Sequence, residues 1–333
     1  MKKTLMSLAV LTAALVACQK NEIPASEEVQ GIPMTLTASL PGDYGTKTTV
    51  EADVSGLKTT WDATESISVV TLDATGNAAG LVSVDTFTST GAAGRTDAEF
   101  TGVFSGGATP AKVIVIYPAL ELQADNTYKT PEYRGSNSIL AGLTVSPPGT
   151  MFSDDSKDTD LLQASDDSFD HFKNYCVMTG NVDLTDIQSN KLTVKLRNLM
   201  SVIKFAAKFP DSCKGKSLFH ILLMSQKSDD SNRNLFHSGG PTYLNIEECG
   251  LAFPSSAESQ LRMLQCSFKV PDTGTATLYM PLVFMEGAKN LTGDYWGILA
   301  NVDGSNKPAQ MFFTKDVTYE AGKIYTVNVT FSE

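Results

Sequence analysis

Met34, Leu36, Ala38 and Leu40 alternate with Thr35, Thr37 and Ser39, a period of two that sends every second side chain to one face of a strand. Near the other end, Tyr325, Val327, Val329 and Phe331 alternate with Thr326, Asn328 and Thr330 in the same way. Between them, the unbroken apolar run Val113 to Tyr117 fits a strand buried on both faces, and Thr275 to Met285 is rich in β-formers. Turn signals recur: Pro41-Gly42-Asp43, Gly91-Ala92-Ala93-Gly94, Gly106-Gly107, Pro147-Pro148-Gly149, Gly239-Gly240-Pro241 and Asp303-Gly304. Many short strands with frequent turns predict an all-β chain built as sandwiches.

The pattern is ambiguous over residues 191–209. There Leu192, Val194 and Leu196 alternate, while Leu192, Leu196, Leu199, Met200 and Ile203 also share a helical face. The weak helical signal elsewhere favours two strands around a short bend. Upstream, residues 151–171 are rich in aspartate and serine and read as a long loop closing the first half.

The first residues add a location. Lys2 and Lys3 precede an apolar stretch from Leu5 to Ala17, too short for the roughly 20 apolar residues that span a bilayer but long enough for a secretory signal. Leu15, Val16, Ala17 and Cys18 resemble the bacterial lipobox, which implies cleavage before Cys18 and lipidation of that cysteine. A membrane anchor of this kind needs more than one acyl chain, each contributing about 0.8 kcal/mol per buried methylene.

At 333 residues the chain exceeds the usual single core, so two domains are expected, and 42% apolar with 19% charged residues marks it as globular. Removal of residues 1–17 leaves 24 basic against 37 acidic residues. That balance repels phosphate backbones and excludes nucleic acid as a partner class. In an exported chain, Cys176, Cys213, Cys249 and Cys266 are candidates for two disulfides or for free buried thiols, and they lack the close spacing of a zinc ligand set.

The sequence carries few signs of catalytic chemistry. There is no Gly-x-Ser-x-Gly elbow, no phosphate-binding Gly-rich loop and no His-Glu-x-x-His helix, and neither a cofactor nor a metal is expected. Asp170-His171 is an adjacent pair, which does not by itself place a base beside its orienter. Asp154, Asp155, Asp158 and Asp160 lack the glycine and terminal glutamate of a calcium loop and read as a solvated face. Trp61 and Trp296 read as core aromatics, with a sugar-stacking platform around Trp296 and Tyr295 as the alternative.

Four places carry a resemblance: TKTTV (46–50), TTWDATESISVV (59–70), LTVKLRNLMSVIKF (192–205) and YEAGKIYTVNVTF (319–331). In order and spacing they are similar to the fimbrillin-like lipoproteins of Bacteroides and its relatives, whose polymerising members build type V pili. The resemblance implies two tandem transthyretin-like Greek-key β-sandwiches at residues 34–180 and 181–333, behind a signal (1–17) and a lipidated tether (18–33). It implies a subunit displayed on the outer membrane, anchored there by lipid, joining other pilin subunits by strand exchange and meeting a host or bacterial surface ligand. Polymerising members are cut after a basic residue, usually arginine, following the first strand; here Lys47 stands at that place. Loss of the strand carrying Met34, Leu36, Ala38 and Leu40 would open a groove for a neighbour's strand. Because the sequence stops at Glu333, little follows Phe331 to act as a donor, which suits a tip or accessory subunit. The alternative is a monomeric lipid-anchored glycan-binding or adhesin protein.

Overall fold

A computed structural model describes residues 31–40, 51–53, 56–58, 60–74, 81–107, 110–122, 128–129, 144–145, 162–171, 177–182, 184, 190–237, 243–245, 250–252, 258–259, 261–282, 284–285 and 287–333. The described residues are mostly strand and contain no α-helix. The principal strands are β1 (Ile32–Ser39), β2 (Thr64–Leu72), β3 (Leu81–Thr90), β4 (Asp97–Phe104), β5 (Lys112–Tyr117), β6 (Leu162–Gln163), β7 (Met178–Asn181) and β8 (Lys191–Lys195). They continue with β9 (Arg197–Asn198), β10 (Ser201–Lys208), β11 (Ser217–Gln226), β12 (Leu261–Lys269), β13 (Thr275–Leu282), β14 (Tyr295–Val302), β15 (Ser305–Phe312) and β16 (Ile324–Thr330).

An eight-stranded sheet runs in the order β8-β1-β4-β3-β2-β5-β7-β9. Between β3 and β4 the ladder narrows to two residue pairs, Phe87↔Gly102 and Thr88↔Thr101. Only glycine fits there, since a Cβ on Gly102 would lie 2.7 Å from the Phe87 ring. The two parts of the sheet face each other across a shared core: the Trp61 ring stands edge-on to Phe100 of β4 at 5.2 Å and to Tyr117 of β5 at 5.4 Å. A bridge between Val182 and Val194 brings the far end of the sheet back to β8. Val113 to Tyr117 is buried throughout, as an unbroken apolar run requires of a strand covered on both faces.

The second core lies between a five-stranded sheet, β6-β12-β11-β14-β15, and a three-stranded one, β13-β10-β16. Residues 191–209 form strands, resolving the ambiguity in favour of period two. Their allegiance differs from the sequence reading, however. β8 and β9, expected to open the C-terminal sandwich, pair with β1 and β7 in the first sheet. Alternation specifies that a segment is a strand and which face is apolar, but not which strand it meets. The loop expected over residues 151–171 is also corrected in its described part: Leu162–Gln163 pairs in parallel with Gln265–Cys266, and residues 163–171 lie along β13. Cys213 and Cys266 are free and buried, so neither takes part in a disulfide; burial pushes the Cys266 thiol well above its usual range. Cys176 and Cys249 lie outside the described residues, as do Asp154, Asp155, Asp158 and Asp160.

Candidate functional site

Ile32–Ser39 lies inside its sheet rather than at an edge. It runs antiparallel to β4 over eight residue pairs, from Ile32↔Phe104 to Ser39↔Asp97, and parallel to β8 over five, from Thr35↔Lys191 to Ser39↔Lys195. Flanking main-chain bonds extend both ladders: Thr35 N donates to Asn190 O at 3.1 Å, Leu40 N to Thr96 O at 2.8 Å and Leu196 N to Ser39 O at 2.9 Å. Met34, Leu36, Ala38 and Leu40 all point into the core and are at most 5% exposed. Thr35, Thr37 and Ser39 are half-buried on the other face. Burying an aliphatic side chain stabilises a fold by about 1.5–3 kcal/mol, so the strand is held by both its side chains and two ladders.

The neighbours of these four positions form a graded set of sockets. Met34 stands opposite Gly102, over which the Phe87 ring lies. Leu36 sits between Phe100 and Leu192, and Ala38 between Ala98 and Val194. The side chains that fill this place read large, large, small, large from Met34 to Leu40. The gap left by departure of β1 would be apolar and lined on both sides by unpaired main-chain groups, a surface that captures strands. Cys18 and Lys47 lie outside the described residues.

The other residues singled out in the sequence are not gathered into a site. Trp61 and Trp296 are each 1% exposed and Tyr295 is 9% exposed, so the sugar-stacking platform is overturned. Trp296 packs on Phe313 and Tyr319, as an aromatic needed by the second core does. Asp170 is exposed, while His171 is buried with Nε2 2.7 Å from the Tyr279 carbonyl oxygen. His220 is half-buried on β11, and the side chain of His237 is outside the described set. Among the described residues no group of three or more His, Cys, Asp or Glu is placed to hold a metal, and no helix is long and apolar enough to cross a membrane.

Burial lowers the pKa of His171 from its ordinary 6.5, opposed by the Tyr279 carbonyl and the Asp170 charge. A neutral buried histidine stabilises the fold fully above the ordinary value. That contribution is lost as pH falls from there through the lowered folded value, because the unfolded chain takes up the proton first. Unfolding free energy measured against pH should decline across this window. In His171→Gln the decline should shrink without vanishing, since burial also lowers His220; an unchanged slope would contradict the assignment.

No family model matches the chain, and no curated protein does. Among solved structures, the chain is similar to a candidate cell adhesion protein from Bacteroides ovatus, with 12% identity and a TM-score of 0.49, over 90% of this chain and 92% of that one. It is similar to another candidate cell adhesion protein from Bacteroides uniformis, with 14% identity and a TM-score of 0.44, over 90% and 93%. A fimbrial protein from Bacteroides vulgatus aligns with 10% identity and a TM-score of 0.39, over 89% and 95%.

Proposed function

We propose that this chain is a surface-exposed lipoprotein of the outer membrane, anchored through Cys18, that serves as a fimbrial subunit of tip or accessory type. It is built as two tandem transthyretin-like sandwiches and accepts a neighbour's strand in the place of β1 after cleavage at Lys47. The observation that carries this reading is the position of β1: an interior strand with four buried side chains, laddered on both sides, whose removal leaves a complete vacancy for another strand.

Residues 331–333 are tied to their own chain. Phe331 stacks on Phe209 with ring centroids 4.8 Å apart, and its N–H donates to Lys208 O at 2.8 Å. Ser332 N donates to Pro308 O at 3.0 Å, and Ser212 Oγ donates to the Glu333 carboxylate at 2.7 Å. These residues are engaged within their own chain, leaving β16 committed to β10.

Limited trypsin digestion of the folded chain, with N-terminal sequencing and size-exclusion chromatography, tests the proposal. Cleavage after Lys47 with loss of β1 is expected. The trimmed chain should then bind a peptide with two large apolar residues and a small one at alternate positions, and should refuse the same peptide with leucine at the small position. A resistant chain that stays monomeric and ignores every donor peptide would overturn the acceptor role.

A further inference from the structure

The free edge of β13 is covered by side chains instead of a strand. β13 pairs on one side with β10, Leu278 opposite Phe205 and Met280 opposite Ile203. On its other side the main-chain groups of Thr277 and Tyr279 are all taken up by residues 163–171. Thr277 N donates to Asp166 Oδ1 at 2.7 Å, and Thr277 O accepts from Gln163 Nε2 at 2.9 Å and from Asp167 N at 3.1 Å. Tyr279 N donates to Gln163 Oε1 at 2.9 Å, and His171 Nε2 lies 2.7 Å from Tyr279 O.

The Gln163 side chain is fully buried and imitates a backbone. Its amide donates to the carbonyl before Leu278 and accepts from the N–H after it, the pair of bonds that a residue of a parallel strand opposite Leu278 would make. Asp167 supplies a main-chain bond to this edge, and the other partners are side chains. Asp166 is exposed. A sheet edge with unpaired groups invites association, and covering it is one way folds prevent this.

We propose that residues 162–171 guard, within their own chain, a second strand-accepting edge, and that the occupant they exclude is the same edge of a second copy of this chain. The edge is self-complementary. About a two-fold axis through Leu278, antiparallel pairing sets Thr277 of each copy opposite Tyr279 of the other. The N–H and C=O groups now held by Gln163, Asp166, Asp167 and His171 would then bond one another. Pro281, two residues further along the same outward register, offers a carbonyl but no N–H, so the ladder ends near it. Since each copy uses its own β13 edge, the association closes at a dimer. It is independent of strand exchange at β1, a strand that stays in place throughout the test.

The test uses the full chain, Asp166→Ala alone and Gln163→Ala with Asp166→Ala, compared by sedimentation and by amide hydrogen exchange. The unaltered chain should sediment as a monomer. The double variant should double in mass as concentration rises, with the Thr277 and Tyr279 amides remaining protected in the dimer, whereas Asp166→Ala, which frees the Thr277 N–H alone, should stay monomeric with that amide exchanging faster. A double variant that keeps its β-sheet circular dichroism and stays monomeric would overturn the proposal, as would a dimer in which those two amides exchange freely. Should the double variant lose its fold, Gln163→Leu with Asp166→Ala, which fills the buried space without an amide, decides on the same readouts.

Discussion

Replacing Leu36 with alanine is expected to lower the stability of the folded chain by about 2–5 kcal/mol, the range for truncating a buried leucine and leaving a cavity. Leu36 is fully buried at the centre of β1, flanked by Phe100 on β4 and Leu192 on β8. Both flanking strands are themselves laddered, which limits how far the walls can close around the vacancy. Thr37, one residue along, is half-buried on the opposite face of the strand. Its replacement by alanine should cost much less, within the range of about 1 kcal/mol typical of single substitutions. Urea denaturation of the two variants measures the contrast. Equal losses would mean that the strand is held by its ladders and not by its sockets, and the large, large, small, large pattern expected of a donor would lose its basis.

The alternation over Met34 to Leu40 that underlies this pattern is legible in the amino-acid sequence alone, because a period of two fixes both the element and its buried face. The same logic identifies the strand at Tyr325 to Phe331, while an unbroken apolar run identifies the one at Val113 to Tyr117. What alternation does not carry is the partner. Lys191–Lys195 has a clear period of two, yet its neighbour in the sheet is Ile32–Ser39, more than 150 residues away in the chain. The strap over β13 is hidden for a different reason. Gln163, Asp166, Asp167 and His171 are polar residues in an aspartate-rich stretch, and polarity near turn-formers predicts contact with water. Here they satisfy the main chain of a strand 108 to 116 residues later. Such side-chain substitution for a ladder leaves no periodicity to read. Arg262, 1% exposed on a strand of alternating pattern, is likewise invisible in composition, since arginine is almost never fully buried unless paired.

Asp294→Ala is expected to destabilise the chain by about 3–5 kcal/mol, the cost of breaking a buried ion pair by removing one partner. Asp294 is 2% exposed and faces Arg233, whose side chain is 17% exposed, through both Nε and Nη2. Its Oδ2 also accepts the Leu291 N–H at 2.7 Å, closing the turn that leads into β14. Asn290 lies beside it, accepting the Tyr319 hydroxyl at 2.7 Å, so the carboxylate sits at the end of a polar chain whose tyrosine ring stacks on Trp296. Alanine would leave the Arg233 charge largely out of water with only the exposed Asp316 as counter-charge and would orphan the Leu291 amide at once. If the ion pair is the source of the loss, a double variant with Arg233→Met and Asp294→Leu should recover much of it. Apolar residues of similar volume often replace a buried pair at little cost. A double-mutant cycle by urea denaturation reads the coupling directly. A coupling near zero, with the two single losses simply adding, would show that the Leu291 turn and not the ion pair is what Asp294 supports.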